Sequence, residues 1–221
     1  MLTVSCLLLL VGSLPQEAVH LNLAREEGPL GEYRFELADS APESGVKIEA
    51  MYTAVYKGDG KVYFEPTKFE MLLAGAENNT QPFLPAEVKT DDHGLPINPD
   101  VAGMQLIYVI HQFGGYLPNQ KVDLDERFAI EHTHGESSLK GEGRFLGFED
   151  ISGKKLARIK ITGTYTAVQA MPKLDIELDS WFDPTLHRVT RVRGKLFSVE
   201  ERKGQTKRHP VEISIEQITK L

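Results

Sequence analysis

The chain has 221 residues, of which 25 are basic and 32 acidic, so its formal charge is −7, and 41% of it is hydrophobic. That size suits a single domain or two intimate halves able to bury roughly 70% of their unfolded surface. An acidic balance without aromatics interleaved among the basic groups excludes a nucleic-acid binder, and a lone cysteine, Cys6, excludes a disulfide framework.

The first predicted element is an apolar leader. Residues 4–11 are apolar apart from Ser5, with leucine at Leu7, Leu8, Leu9 and Leu10. The run falls short of the ~20 apolar residues that cross a bilayer but suits the core of a signal peptide. Val11 and Ser13 fit the −3 and −1 positions of a cleavage site, so residues 1–13 read as a signal peptide and 14–221 as a secreted or periplasmic chain. Cys6 precedes most of the apolar core, which does not fit lipidation. Its removal leaves a mature chain without cysteine.

Strands follow. Val19, Leu21 and Leu23 alternate with other residues, as do Tyr33, Phe35 and Leu37. Residues 46–56 and 62–73 are longer β-rich runs joined by Lys57-Gly58-Asp59-Gly60-Lys61, a strong hairpin signal. Residues 78–100 are rich in Pro, Asn, Asp and Gly and read as a long loop, with a formal glycosylation acceptor at Asn78 and Thr80 for a eukaryotic source. Asn98, Pro99 and Asp100 then open a helix that Gly114 and Gly115 close, and residues 101–113 are apolar nearly all round, as in a buried helix.

The second half alternates more cleanly. Val122, Leu124, Phe128 and Ile130 form one face, interrupted by Glu126. Ala157, Ile159, Ile161, Gly163 and Tyr165 oppose Arg158, Lys160, Thr162 and Thr164. Leu174, Ile176, Leu178, Ser180 and Phe182 oppose Lys173, Asp175, Glu177 and Asp179, and Val211, Ile213 and Ile215 oppose Glu212, Ser214 and Glu216. A period of two with one wet side belongs to antiparallel sheets. About ten strands exceed the usual sheet, so the sheet must curl, close or split into two layers. Charge is uneven as well: residues 14–115 hold 7 basic against 16 acidic groups, and 116–221 hold 18 against 16. Phe64-Glu65-Pro66-Thr67 is echoed by Phe182-Asp183-Pro184-Thr185, which suggests related halves at 14–98 and 116–221.

Chemical signals are sparse. His132 and His134, at i and i+2, point to one side of a strand as in strand-borne zinc sites, although sequence places no third ligand. Arg191, Arg193 and Lys195 share a face with Arg188 nearby, either an anion patch or the solvated side of a hairpin. Asp91-Asp92-His93-Gly94 lacks the acidic spacing of a calcium loop, Gly141, Gly143 and Gly147 do not form a dinucleotide fingerprint, and no GxSxG elbow occurs. No catalytic residue and no cofactor are assigned.

The segment Ser180-Trp181-Phe182-Asp183-Pro184-Thr185-Leu186-His187-Arg188-Val189 resembles envelope proteins of the bacterial lipoprotein-carrier group, in which an aromatic residue, Asp-Pro and a polar or basic residue open the next strand. The resemblance implies an incomplete β-barrel around helical cover, with an apolar cavity for acyl chains. The chain offers one helix where those carriers have more. The expected fold is therefore mainly β: a large curved antiparallel sheet, a half-barrel or open barrel, with a helix over residues 99–113 against its dry face. A two-layer sandwich is the rival. The expected function is non-enzymatic binding of a lipid or other apolar ligand, with Val122, Leu124, Phe128, Ile130, Ile159, Ile161, Leu174, Ile176 and Leu178 as lining. The alternatives are a cell-envelope interaction module whose unequal charge meets an envelope protein partner, and a metal-dependent enzyme using His132 and His134.

Overall fold

The computed structural model describes residues 17–23, 26–39, 47–72, 85–95, 97, 114–134, 137–166, 173–202 and 205–219. The expected signal peptide over 1–13, the acceptor at Asn78 and the helix over 99–113 lie outside them. The described residues form twelve strands: β1 (Ala18–Leu21), β2 (Gly28–Asp39), β3 (Lys47–Tyr56), β4 (Lys61–Leu72), β5 (Ala86–Lys89), β6 (Gln120–Asp123), β7 (Arg127–His134), β8 (Ser137–Ile151), β9 (Lys154–Thr166), β10 (Lys173–Asp183), β11 (Arg188–Arg202) and β12 (Gln205–Thr219).

Ten of these make one antiparallel sheet in the order β5-β4-β3-β2-β12-β11-β10-β9-β8-β7, while β1 and β6 pair as a separate ribbon. The expected large curved sheet is thus present, and it does not close into a barrel. Each of its two runs is a meander of hairpins. They join where β12 lies beside β2, with Ile213 opposite Leu37 and Ile215 opposite Phe35.

The period of two decides the layering. In β10, Ile176, Leu178 and Phe182 are buried while Lys173 and Glu177 are exposed. The same rule buries Phe145 in β8, Ile159 and Ile161 in β9, Val192 and Leu196 in β11, and Ile213 and Ile215 in β12. Curvature is local in origin. Register shifts occur between β2 and β3, β3 and β4, β8 and β9, β10 and β11, and β12 and β2, and each such bulge bends and twists its strand. Gly31 and Gly147 stand at two of them with φ of +138° and +106°, where a side chain would be strained.

The edge strands are β5 and β7, and Gly114, in the chain between them, lies against the middle of the sheet. A Cβ there would lie 2.6 Å from Val192 Cγ2, in a central strand, and the fully buried Ser180 hydroxyl donates to the Gly114 carbonyl. Ser180 and Val192 face each other across β10 and β11. Gly114 therefore lies against the apolar face, where Ser180, the polar exception on that face, anchors it.

Two sequence readings change. Val122, Leu124, Phe128 and Ile130 are not one strand, because a turn with Asp125 at φ +64° separates β6 from β7. Leu124 sits in that turn and is 37% exposed. The two echoed tetrapeptides also occupy different places. One lies inside β4 at a register shift, and the other closes β10 and enters the next turn.

Candidate functional site

In a meander, alternate turns gather at the same end of the sheet. Here the β3–β4 turn, the β10–β11 turn, the start of β2 and the segment after β5 converge and enclose a cavity of about 780 Å³. Its apolar wall comes from Leu23, Leu30, Val62, Ile97 and Val189, with the rings of Tyr33 and Tyr56. Asp59, Lys89 and Asp92 are exposed at its rim.

The β3–β4 turn keeps its shape through three successive residues at positive φ, Gly58 (+83°), Asp59 (+50°) and Gly60 (+74°). The Thr90 amide and hydroxyl both donate to the Gly60 carbonyl, at 2.7 and 2.8 Å, and the Gly60 amide donates to the Tyr56 hydroxyl at 3.1 Å. These bonds tie the turn to the strand end across the cavity mouth.

The β10–β11 turn owes its form to the Asp-Pro pair. The buried Asp183 carboxylate accepts from the amides of Thr185 and Leu186 at 2.9 and 3.1 Å, an Asx turn that leaves His187 at φ +49°. The motif that carries the carrier resemblance is, in this chain, a device that aims the next two residues. His187 Nδ1 donates to Asn22 Oδ1 at 2.9 Å. Arg188 turns inward, and its Nη1 donates to the carbonyls of Pro29 (3.3 Å) and Leu30. Its Nε is buried without a hydrogen-bond partner among the described residues. Tyr33, 1% exposed, donates to the Leu30 carbonyl at 3.4 Å. Burial pushes its phenol up to about 12, against the opposing pull of Arg188, so it is a neutral donor at any ordinary pH.

A second constellation stands where the two sheet edges approach each other. Asp91, just past β5, lies 3.1 Å by Oδ2 from His132 Nδ1 on β7. Its other oxygen accepts from the amides of His93 and Leu95, both at 2.9 Å. His93 Nδ1 donates to the Leu117 carbonyl at 3.0 Å, and its ring stacks on Tyr116, which stacks on Phe128. The loops that leave and approach the open edges are thus packed together. His132 faces Asp91 in this arrangement, the side chains of His134 and Glu136 lie outside the described residues, and no cluster of three or more metal-ligating groups occurs among the described ones.

The remaining expected lining residues sit elsewhere. Val122, Phe128, Ile130, Ile159, Ile161, Ile176 and Leu178 are buried in the core and Leu174 is half-buried, but none of them is among the described lining of the 780 Å³ cavity. Arg191, Arg193 and Lys195 share the wet face of β11, as their alternation predicts, and each meets a neighbour on an adjoining strand. Arg191 lies over the Trp181 ring, Arg193 pairs with Glu216 at 3.9 Å and Lys195 with Glu212 at 3.6 Å, while Arg188 lines the cavity. Tyr33 and Arg188 carry the polar chemistry of the cavity and were not assigned to it from sequence. The available signal was the shared end of the two hairpin turns. No protein-family model, curated protein or solved structure matches the chain.

Proposed function

We propose that this chain is a non-enzymatic binding protein of the cell exterior or periplasm that holds a lipid or other largely apolar small molecule. The observation that carries this reading is the cavity at one end of the incomplete barrel. Its volume lies within the ~300–1,000 Å³ typical of small-molecule sites, and it joins apolar walls to a few polar groups, as such sites do. The apolar leader supports export, and the hairpin resemblance to lipoprotein carriers supports a lipid ligand.

Native mass spectrometry of the full chain purified from its own host should show a co-purifying species of lipid-like mass. The delipidated protein should then bind N-phenyl-1-naphthylamine saturably, with competition by long-chain amphiphiles. The absence of both a co-purifying species and saturable binding would overturn the reading.

A further inference from the structure

We propose that the cavity selects amphiphiles with an anionic headgroup, a carboxylate or a phosphate, and that Arg188 receives that group. The inference rests on the binding role proposed above and names its ligand class.

A guanidinium keeps its charge at every physiological pH and presents five N–H donors in a rigid fork suited to oxyanions. Arg188 is only half-exposed beside Leu30, Val62 and Val189. Two backbone carbonyls fix Nη1 but supply no negative charge, and Nε is buried without a hydrogen-bond partner among the described residues. A charge drawn from water into such surroundings is costly unless an opposite charge joins it.

The acidic groups of the cavity do not serve as its counter-ion. Asp91 is committed to His132 and to two backbone amides, while Asp59 and Asp92 are exposed at the rim, where water screens them. The buried Tyr33 hydroxyl beside Arg188 is neutral and adds no negative charge to compete with a ligand's. The polar end thus favours an oxyanion, and the apolar wall opposite accepts an alkyl chain.

The test uses the full, delipidated chain with N-phenyl-1-naphthylamine as an uncharged reporter and three competitors of equal chain length: palmitic acid, methyl palmitate and hexadecyl phosphate. A charge-assisted hydrogen bond predicts that the acid or the phosphate displaces the reporter at roughly tenfold lower concentration than the ester. Whichever of the two competes better identifies the headgroup. In Arg188→Gln the gap between acid and ester should close, and Arg188→Lys should restore part of it. Equal competition by ester and acid in the unaltered protein overturns the inference and leaves apolar binding standing. A gap that persists in Arg188→Gln also overturns it. Failure of the reporter and every competitor to bind removes the binding role itself. The comparison in the unaltered protein decides the question even if Arg188→Gln, having lost its brace on Pro29 and Leu30, fails to fold.

Discussion

Trp181, the single tryptophan, shows how far one residue on the convex face can organise its neighbours. The register places Arg158 and Arg191 on either side of it, with guanidinium carbons 5.7 and 5.3 Å from the ring centre. Its indole N–H donates to Glu149 at 2.8 Å, and Arg158 ties Glu149 (2.7 Å) to Asp179 (3.0 Å). Two cations over an indole cover it without an apolar layer, which is why Trp181 is 8% exposed on the wet side of the sheet. The indole hydrogen bond first, and then Arg158, hold the Glu149 carboxyl below its ordinary value of 4.5. A lowered folded-state pKa gives stability that is present above that ordinary value and fades as pH falls through the lowered one. Because the Glu149 side chain is 39% exposed, screening keeps the contribution small, under about 1 kcal/mol. Tryptophan fluorescence should therefore change in a step below pH 4.5, before global unfolding, and Glu149→Gln should abolish that step. An unaltered step in Glu149→Gln would show that another group controls the indole.

At the scale of elements, the β3–β4 and β8–β9 hairpins offer an internal comparison. Gly60 and Gly153 have nearly the same φ, +74° and +75°, but a Cβ on Gly60 would stand 2.4 Å from the Thr90 carbonyl oxygen, whereas one on Gly153 meets nothing within 4 Å. Both alanine variants carry the strain of a left-handed non-glycine residue, about 1–3 kcal/mol. Gly60→Ala must also push Thr90 away from the turn. Urea denaturation should show the larger loss for Gly60→Ala, and only that variant should weaken binding of the naphthylamine reporter. Equal losses with binding intact would mean that the Gly60–Thr90 junction does not shape the cavity. The same contrast explains what could be read from sequence. Strand faces such as Ile176, Leu178 and Phe182 were legible because a half-wetted strand writes its orientation into every second residue. The Gly58–Gly60 hairpin was legible because its backbone demands glycine. Leu124 was misread because a turn interrupts the period without changing residue type, and Arg188 because turn side chains obey no period at all. Which turns share an end follows from strand order, and that order depends on β12 finding β2 from the far end of the chain.

For the molecule as a whole, the β2–β12 pairing decides whether the chain has one folding unit or two. Separate halves at 14–98 and 116–221 would each need their own core, yet the apolar face is continuous through Phe35 and Ile215 and through Leu37 and Ile213. The second half alone would expose β12 as an edge, with Ile213 and Ile215 stripped of the face that β2 covers. Such an edge is a template for aggregation. Its cavity would also lose Tyr33, Tyr56 and Thr90, which come from the first half. A fragment of residues 116–221 should accordingly aggregate or remain non-cooperative when refolded. In the intact chain, Trp181 reports on β10 and far-ultraviolet dichroism reports on the strands of both halves. A single unit requires the two signals to follow one urea transition with a common midpoint. Distinct midpoints, or a soluble fragment of residues 116–221 that unfolds cooperatively, would mean that each half is stable by itself and that the β2–β12 contact is a docking of two preformed sheets.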